Sequence, residues 1–234
     1  MSRRDVKSID GLVSGMGHEL RTPLNAIIGF TDLLLMELPG PLNDAQRQHL
    51  AQIGSAGRTM LGMTDNLVEL ARLELGEIEL QVAPSALGPI LDDVRSAYLA
   101  QAAEKGLSLE VESPSPDPYE TDPKVLRRIV ELLVANALAF TDTGGVTIHV
   151  REAGAPGAVR IEVVDSGPGI SEHDLAMLFR PFDRAASDAG GERRGMGLGL
   201  CLGRRLADLL GAEIAVASEV GRGTTGSLTL PGSR

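Results

Sequence analysis

The chain is poor in aromatic residues: no tryptophan, two tyrosines and four phenylalanines among 234 residues. Its hydrophobic content of 43% must therefore build cores from aliphatic side chains. A single cysteine, Cys201, excludes an internal disulfide and suggests a reducing compartment. Basic residues are outnumbered, 22 against 32 acidic, for a net charge of −10. That balance argues against nucleic acid, whose phosphates select basic surfaces. No uninterrupted apolar run approaches the ~18–20 residues needed to span a bilayer, and no apolar segment follows Met1-Ser2-Arg3-Arg4 as a signal peptide requires. The expectation is a soluble, cytoplasmic segment without membrane insertion, whether or not a further domain precedes it. Its length fits one or two domains.

What the chain does contain divides near residue 78. Residues 6–37 carry apolar side chains at Ile9, Val13, Met16, Leu20, Leu24, Ile27 and Leu34. Steps of three, four and seven mark the seam of an amphipathic helix. The run Leu38-Pro39-Gly40-Pro41-Leu42 breaks it, and Asn43 or Asp44 can cap a second helix with its own seam at Leu50, Ile53, Gly57, Met60, Met63, Leu67 and Leu70. Such a hairpin has an apolar face that a two-fold dimer would bury as a four-helix bundle. Gly15, Gly17 and Pro23 weaken the first helix around His18 and predict a loosened turn before the proline. After residue 78 short strands and helices alternate, an α/β layer architecture. Helices are expected at 86–103, 122–140, 171–179 and 198–210, and strands at 107–112, 146–150, 159–164, 213–218 and 224–230. The polar, aperiodic stretch 183–194 reads as a loop.

His18 lies off the seam. It is two positions from both Met16 and Leu20, roughly 200° around the helix from each at about 100° per residue, so it faces solvent beside Glu19. A neutral imidazole can act as a nucleophile near pH 7, and a neighbouring carboxylate can orient it or take its second proton. Four short segments carry chemistry in the second half. Asn136 lies near the C-terminus of the helix expected at 122–140, and an amide oxygen suits hard Mg²⁺. Asp165-Ser166-Gly167-Pro168-Gly169-Ile170 follows an apolar strand, where a carboxylate can accept from an exocyclic amine and glycines admit a flat ring. Leu178-Phe179-Arg180-Pro181-Phe182 could equally be core. Gly195-Met196-Gly197-Leu198-Gly199-Leu200 opens a helix, a phosphate-binding arrangement. Its spacing is not that of a dinucleotide fingerprint, and no Lys-Ser/Thr pair marks a P-loop.

The string His18-Glu19-Leu20-Arg21-Thr22-Pro23-Leu24 closely resembles the phosphoacceptor box of sensor histidine kinases. The four later segments, in order and spacing, resemble the N, G1, F and G2 boxes of that family's ATP-binding domain, which shares its fold with gyrase, Hsp90 and MutL. The resemblance covers nearly the whole chain. It implies a dimerisation and histidine-phosphotransfer hairpin at 1–77 and a catalytic α/β-sandwich ATP-binding domain at 78–234. It also implies a homodimeric kinase that uses ATP and Mg²⁺ and passes a phosphoryl group from His18 to an aspartate of a response regulator receiver domain. Glu19 would assist transfer, and Thr22 would position water when the enzyme works as a phosphatase. Asn136 would hold Mg²⁺ and Asp165 would read the adenine amine. Gly167, Gly169, Leu200 and Thr224 would line the nucleotide, and Gly195, Gly197 and Gly199 would wrap its phosphates. The 183–194 loop would be the ATP lid.

Two positions depart from the family pattern. Leu132 stands where an asparagine is usual, and Ala139 where a lysine is usual. The missing lysine removes a positive charge expected near the phosphates, for which Arg193 or Arg194 could substitute. A pseudokinase scaffold that binds a response regulator without efficient turnover is the alternative these departures raise. Leu132 also sits where the Hsp90 and MutL branches carry a water-activating glutamate. Glu131 is one residue away, about 100° around the helix, which argues against a plain ATP hydrolase.

Overall fold

The computed structural model describes residues 3–38, 40–112, 118–180 and 197–232. It forms two compact units, residues 1–78 and 79–234.

The first unit is an antiparallel helical hairpin of α1 (Arg3–Leu35) and α2 (Asp44–Glu74). Asn43 caps α2 in a capping box: its side chain accepts from the Gln46 amide at 2.8 Å, and the Gln46 side chain accepts from the Asn43 amide at 3.0 Å. α1 runs unbroken through Pro23, which offers no N–H to the Glu19 carbonyl one turn back. The two helices approach at glycines. A Cβ on Gly17 would lie 2.7 Å from a Val68 methyl, and one on Gly57 would lie 3.0 Å from Ile28. Leu24 and Thr31 are buried on the same row of α1. Two ion pairs flank this seam, Arg21 Nε–Asp65 Oδ1 at 2.6 Å and Arg58 Nη1–Asp32 Oδ1 at 3.1 Å.

The single apolar seam read from the sequence is thus two rows. The row 17, 24, 28, 31 closes the hairpin. Leu20, Ile27 and Leu34 form a second row seven residues apart, and Ile53, Met60 and Leu67 repeat that spacing on α2. These six side chains are all exposed, from 37% to 56%.

The second unit is two-layered. Its main sheet has the order β2-β4-β5-β7-β6, with β2 (Ser108–Glu112), β4 (Gly145–Glu152), β5 (Val159–Asp165), β7 (Gly223–Leu230) and β6 (Glu213–Glu219). Only the β2–β4 pair is parallel. Two three-residue strands, β1 (Ala83–Ser85) and β3 (Tyr119–Thr121), pair separately. Three helices cover one face: α3 (Leu87–Glu104) beside β2, α4 (Pro123–Phe140) over β4, β5 and β7, and α6 (Leu198–Leu210) beside β6. The strands alternate accordingly, with Ile148, Ile161, Val163, Leu228 and Leu230 turned into the core. The remaining helix, α5 (Glu172–Leu175), starts at Ser171 but is one turn long, where the sequence suggested two. Among the described residues no helix is long and apolar enough to cross a membrane.

The axis of the unit is α4, which begins on a buried acid. Asp122 Oδ1 accepts from the Lys124 and Val125 amides at 2.9 and 3.1 Å, and Oδ2 accepts from Gln81 at 2.7 Å. Burial pushes the Asp122 carboxyl up, but these three N–H groups outweigh it and hold it below the usual range. A depressed carboxyl stabilises the fold above its unfolded value and loses that contribution as pH falls through the folded one. Asp122→Ala is expected to cost about 1–2 kcal/mol at pH 7. The difference from the unsubstituted protein should shrink in strong acid, as chemical denaturation at a series of pH values will show.

Candidate functional site

Asp165 ends β5, the central strand. Cross-strand pairing sets Val146, Asp165, Thr224 and Ser218 side by side on β4, β5, β7 and β6. Residues paired in this way share one face of a sheet, here the face under the helices. Asp165 is 8% exposed. Its Oδ1 accepts from the Gly167 amide at 2.8 Å and the Thr224 amide at 3.2 Å, while Oδ2 has no partner among the described residues. Burial pushes this carboxyl up, against the pull of the two amides. A buried carboxylate oxygen left open in this way suits an N–H donor from a ligand.

The loop after Asp165 is held tightly against its surroundings. Ser166 Oγ donates to the Thr143 carbonyl and accepts from the Gly145 amide, both at 3.0 Å. Pro168 O accepts from the Gly221 amide at 2.7 Å, and the Ile170 amide donates to Ser218 Oγ at 2.8 Å. Gly167 is buried. Gly169 has φ +73°, and a Cβ there would lie 2.2 Å from the Glu219 carbonyl oxygen. Only glycine fits both requirements.

Asn136 lies on the last turns of α4, half-buried, with no partner for its amide among the described residues. That open amide oxygen has the donor chemistry of a Mg²⁺ ligand. Gly197, at φ +67°, precedes α6, and no side chain caps the helix. Gly199 and Leu200 stand in the first turn, where backbone N–H groups lack helical partners. The Leu200 side chain itself is buried, so only its backbone is available to a phosphate. Gly195, Arg193, Arg194 and the whole 183–194 loop lie outside the described residues.

The two departures have structural accounts. Leu132 is buried, and Cβ atoms added at Gly199 and Gly203 would both sit 3.8 Å from its methyls, so it fills the gap between α4 and α6. At Ala139 the backbone carbonyl accepts from Lys105 Nζ at 3.4 Å, and the same ammonium binds the Leu138 carbonyl. Glu131 is committed elsewhere. Arg127 Nε donates to it at 2.8 Å, and Arg127 also approaches Asp93 of α3 at 3.6 Å. Its charge helps raise Tyr98, whose shift comes first from burial. Glu131 is therefore placed at the α3–α4 contact.

In the other unit His18, Glu19 and Thr22 are all exposed on α1. Thr22 Oγ1 donates to the His18 carbonyl at 3.0 Å, leaving the hydroxyl oxygen free to accept. Three residues beside the candidate positions carry no motif signal: Ser218, Lys105 and Asp65. Their contacts are long-range, and spacing alone could not reveal them.

Comparison with known proteins agrees with this geometry. Residues 8–76 match the His Kinase A (phospho-acceptor) domain, and residues 121–234 match the histidine kinase-, DNA gyrase B- and HSP90-like ATPase domain. The chain belongs to the sensor histidine kinases. It is 36% identical over 220 residues to the histidine protein kinase DivJ of Caulobacter vibrioides, covering 94% of this chain and 36% of that protein. It is 34% identical over 218 residues to the signal transduction histidine-protein kinase BarA of Escherichia coli, covering 91% of this chain and 23% of that protein. Among solved structures, full-length ShkA in complex with AMPPNP superposes with a TM-score of 0.71 at 30% identity, over 95% of this chain and 46% of that one. The chain thus spans less than half the length of each of these relatives.

The raised Asp165 carboxyl has a measurable consequence. Its cost to folding is absent below the unfolded value near 3.9 and complete above the raised folded one. Asp165→Asn removes that cost while keeping the oxygen that accepts from Gly167 and Thr224. Thermal unfolding at pH 7 should show an equal or higher Tm. Affinity for adenine nucleotides should fall about 10- to 150-fold, the equivalent of one hydrogen bond to a charged group. A lower Tm together with unchanged affinity would contradict both roles.

Proposed function

We propose that this chain is the catalytic core of an ATP-dependent protein-histidine kinase of a two-component system. One observation carries the reading: a single chain holds an exposed imidazole on a phospho-acceptor hairpin and, in its second unit, both a buried, open carboxylate and a helix N-terminus that no side chain caps. The first is an acceptor and the second a nucleotide site. An imidazole nitrogen of His18 attacks the γ-phosphorus, a P–N bond forms as the bond to the β,γ-bridging oxygen breaks, and ADP leaves. The phosphoryl group then passes to a carboxylate of a response regulator receiver domain, which frees the imidazole. Glu19, adjacent in sequence, is the carboxylate available to orient the ring or hold its second proton.

Asp165 Oδ2 accepts from the adenine amine. The loop at Gly167 and Gly169 leaves room for the ring, with Thr224 alongside. The α6 N-terminus at Gly197, Gly199 and Leu200 receives phosphate oxygens, with Gly195 and one of Arg193 or Arg194 completing the cradle. Mg²⁺ would be held by the Asn136 amide oxygen together with phosphate oxygens, and would neutralise charge on the transferring group.

The two exposed rows on the hairpin support a homodimer. Leu20, Ile27 and Leu34 on α1, with Ile53, Met60 and Leu67 on α2, keep the seven-residue spacing of bundle cores. A second copy of the same hairpin, related by a two-fold axis, covers both rows at once. The pseudokinase alternative draws no support from relatives named as kinases. Leu132 is explained by packing between α4 and α6.

Incubation with γ-labelled ATP should place acid-labile, base-stable label on the protein. His18→Gln should abolish the label and leave ATP binding intact, whereas residual label on that variant would assign the acceptor elsewhere. Thr22 separates a second activity, dephosphorylation of the regulator. Its hydroxyl lies one turn from His18 on the same face and can hold a water without touching ATP. Thr22→Ala is expected to keep autophosphorylation and to lose regulator dephosphorylation; a parallel fall in both would make Thr22 a structural residue of the turn before Pro23.

A further inference from the structure

Ser218 lies at a junction that the proposed mechanism does not use. Its hydroxyl oxygen has three short contacts: the Ile170 amide at 2.8 Å, the Gly223 carbonyl at 2.8 Å and Thr224 Oγ1 at 2.9 Å. A serine hydroxyl has one hydrogen to give and two lone pairs to receive. The Ile170 N–H can only donate and the Gly223 carbonyl can only accept. The Ser218 hydrogen is therefore committed to Gly223, since otherwise two bare oxygens would face each other at 2.8 Å. Thr224 must then donate to Ser218. With that assignment Ser218 is saturated, and the only hydrogen on the Thr224 hydroxyl points away from Asp165.

The consequence falls on the base-reading edge. Asp165 and Thr224 are directly paired across β5 and β7, and their side chains share the face under the helices. Asp165 Oδ2 is open, and Thr224 Oγ1 retains lone pairs alone. We propose that Ser218 is a positioning residue that sets base specificity: by capturing the Thr224 hydrogen it leaves two adjacent acceptors, which select a purine bearing an exocyclic amino group. An amino nitrogen has two hydrogens to offer such a pair. A carbonyl in the same place has none, and would meet two lone-pair-bearing oxygens. Polar sites of this kind discriminate strongly because the mismatched ligand leaves buried groups unpaired. The inference rests on the nucleotide reading of the Asp165 site and extends it to a residue on a strand that touches the base only through Thr224.

The test compares ATP with inosine triphosphate, the same scaffold with a carbonyl in place of the amine, by calorimetric titration of the full chain in excess Mg²⁺. Ser218→Ala frees the Thr224 hydroxyl to turn and donate. The preference for ATP over inosine triphosphate should fall about 5- to 10-fold, the scale of one neutral hydrogen bond. Ser218→Thr, which keeps the hydroxyl, should retain the full preference. Ser218→Cys, whose sulfur accepts weakly, should behave as the alanine variant does and guards against misfolding of either one. In a Thr224→Val background, Ser218→Ala should no longer change the ratio, which a double-mutant cycle reads directly. Loss of the Ile170 contact alone would weaken both nucleotides by one factor. Equal weakening, or a ratio unchanged by Ser218→Ala and Ser218→Cys, overturns the role of Ser218 while leaving the ATP site standing. An unsubstituted protein that does not prefer ATP overturns the adenine reading of Asp165 and this inference with it.

Discussion

One desolvated carboxylate organises the second unit. Asp165 sits at the end of the central strand with one oxygen spent on two backbone amides and the other open. Holding it there costs stability, which burial registers as a raised carboxyl. Much of the surrounding chain is shaped by the crowding. A Cβ on Gly223 would come 2.0 Å from the Asp165 carbonyl oxygen, and one on Gly167 would come 2.8 Å from Oδ1. The loop at 166–170 is tied to β6 through Ser218 and to the β6–β7 turn through Pro168. Fixed backbone around a fixed acceptor is preorganisation: on the proposed reading, a base entering the site does not have to arrange it.

The hairpin solves a different problem, which is to fix a helix firmly while leaving the His18 side chain outside. Gly17, immediately before His18, makes the tightest approach to α2, against Val68. Arg21, three residues after His18, is tied to Asp65. The turn bearing the imidazole is therefore held from both sides on its inner face. Pro23 removes the next helical hydrogen bond, and the Thr22 hydroxyl adds one to the His18 carbonyl. The weakening expected from glycine and proline near His18 has a counterpart here. The same glycine that costs helix propensity permits the contact that locates the helix.

How much of this could be read in advance differs between elements for physical reasons. α4 was legible to the residue, because Asp122 and Pro123 are start signals and its apolar pattern is long. The start of α2 was legible to within one residue, Asn43 or Asp44, and the cap is Asn43. β1 and β3 were not, since three residues are too few to show a period. The hairpin seam was read as one row because successive heptads interleave. Leu20 and Leu24 look equivalent by spacing, yet one is exposed and the other buried. Asp165 and Asn136 announced themselves through motif context. Ser218 did not, because its meaning lies in bonds to Ile170 and Thr224 that cross from strand to loop and from strand to strand.

The two departures from the family pattern follow from where each group sits. Position 132 faces the gap under Gly199 and Gly203, and an amide there would need partners that an apolar slot does not supply, whereas leucine fills it. Position 139 lies near the end of α4, whose carbonyls carry the negative pole of the helix. Lys105 brings an ammonium to that end, but two of its three hydrogens are spent on the Leu138 and Ala139 carbonyls. It cancels the pole of α4 more than it adds charge for a phosphate. On the proposed reading, compensation of the phosphates then falls on the cation held at Asn136 and on the α6 N-terminus. Both act along the short axis between α4 and α6 that Leu132 packs together. Exchanging a polar side chain for a leucine at that contact thus shifts the work from an added ligand to the spacing of two helices.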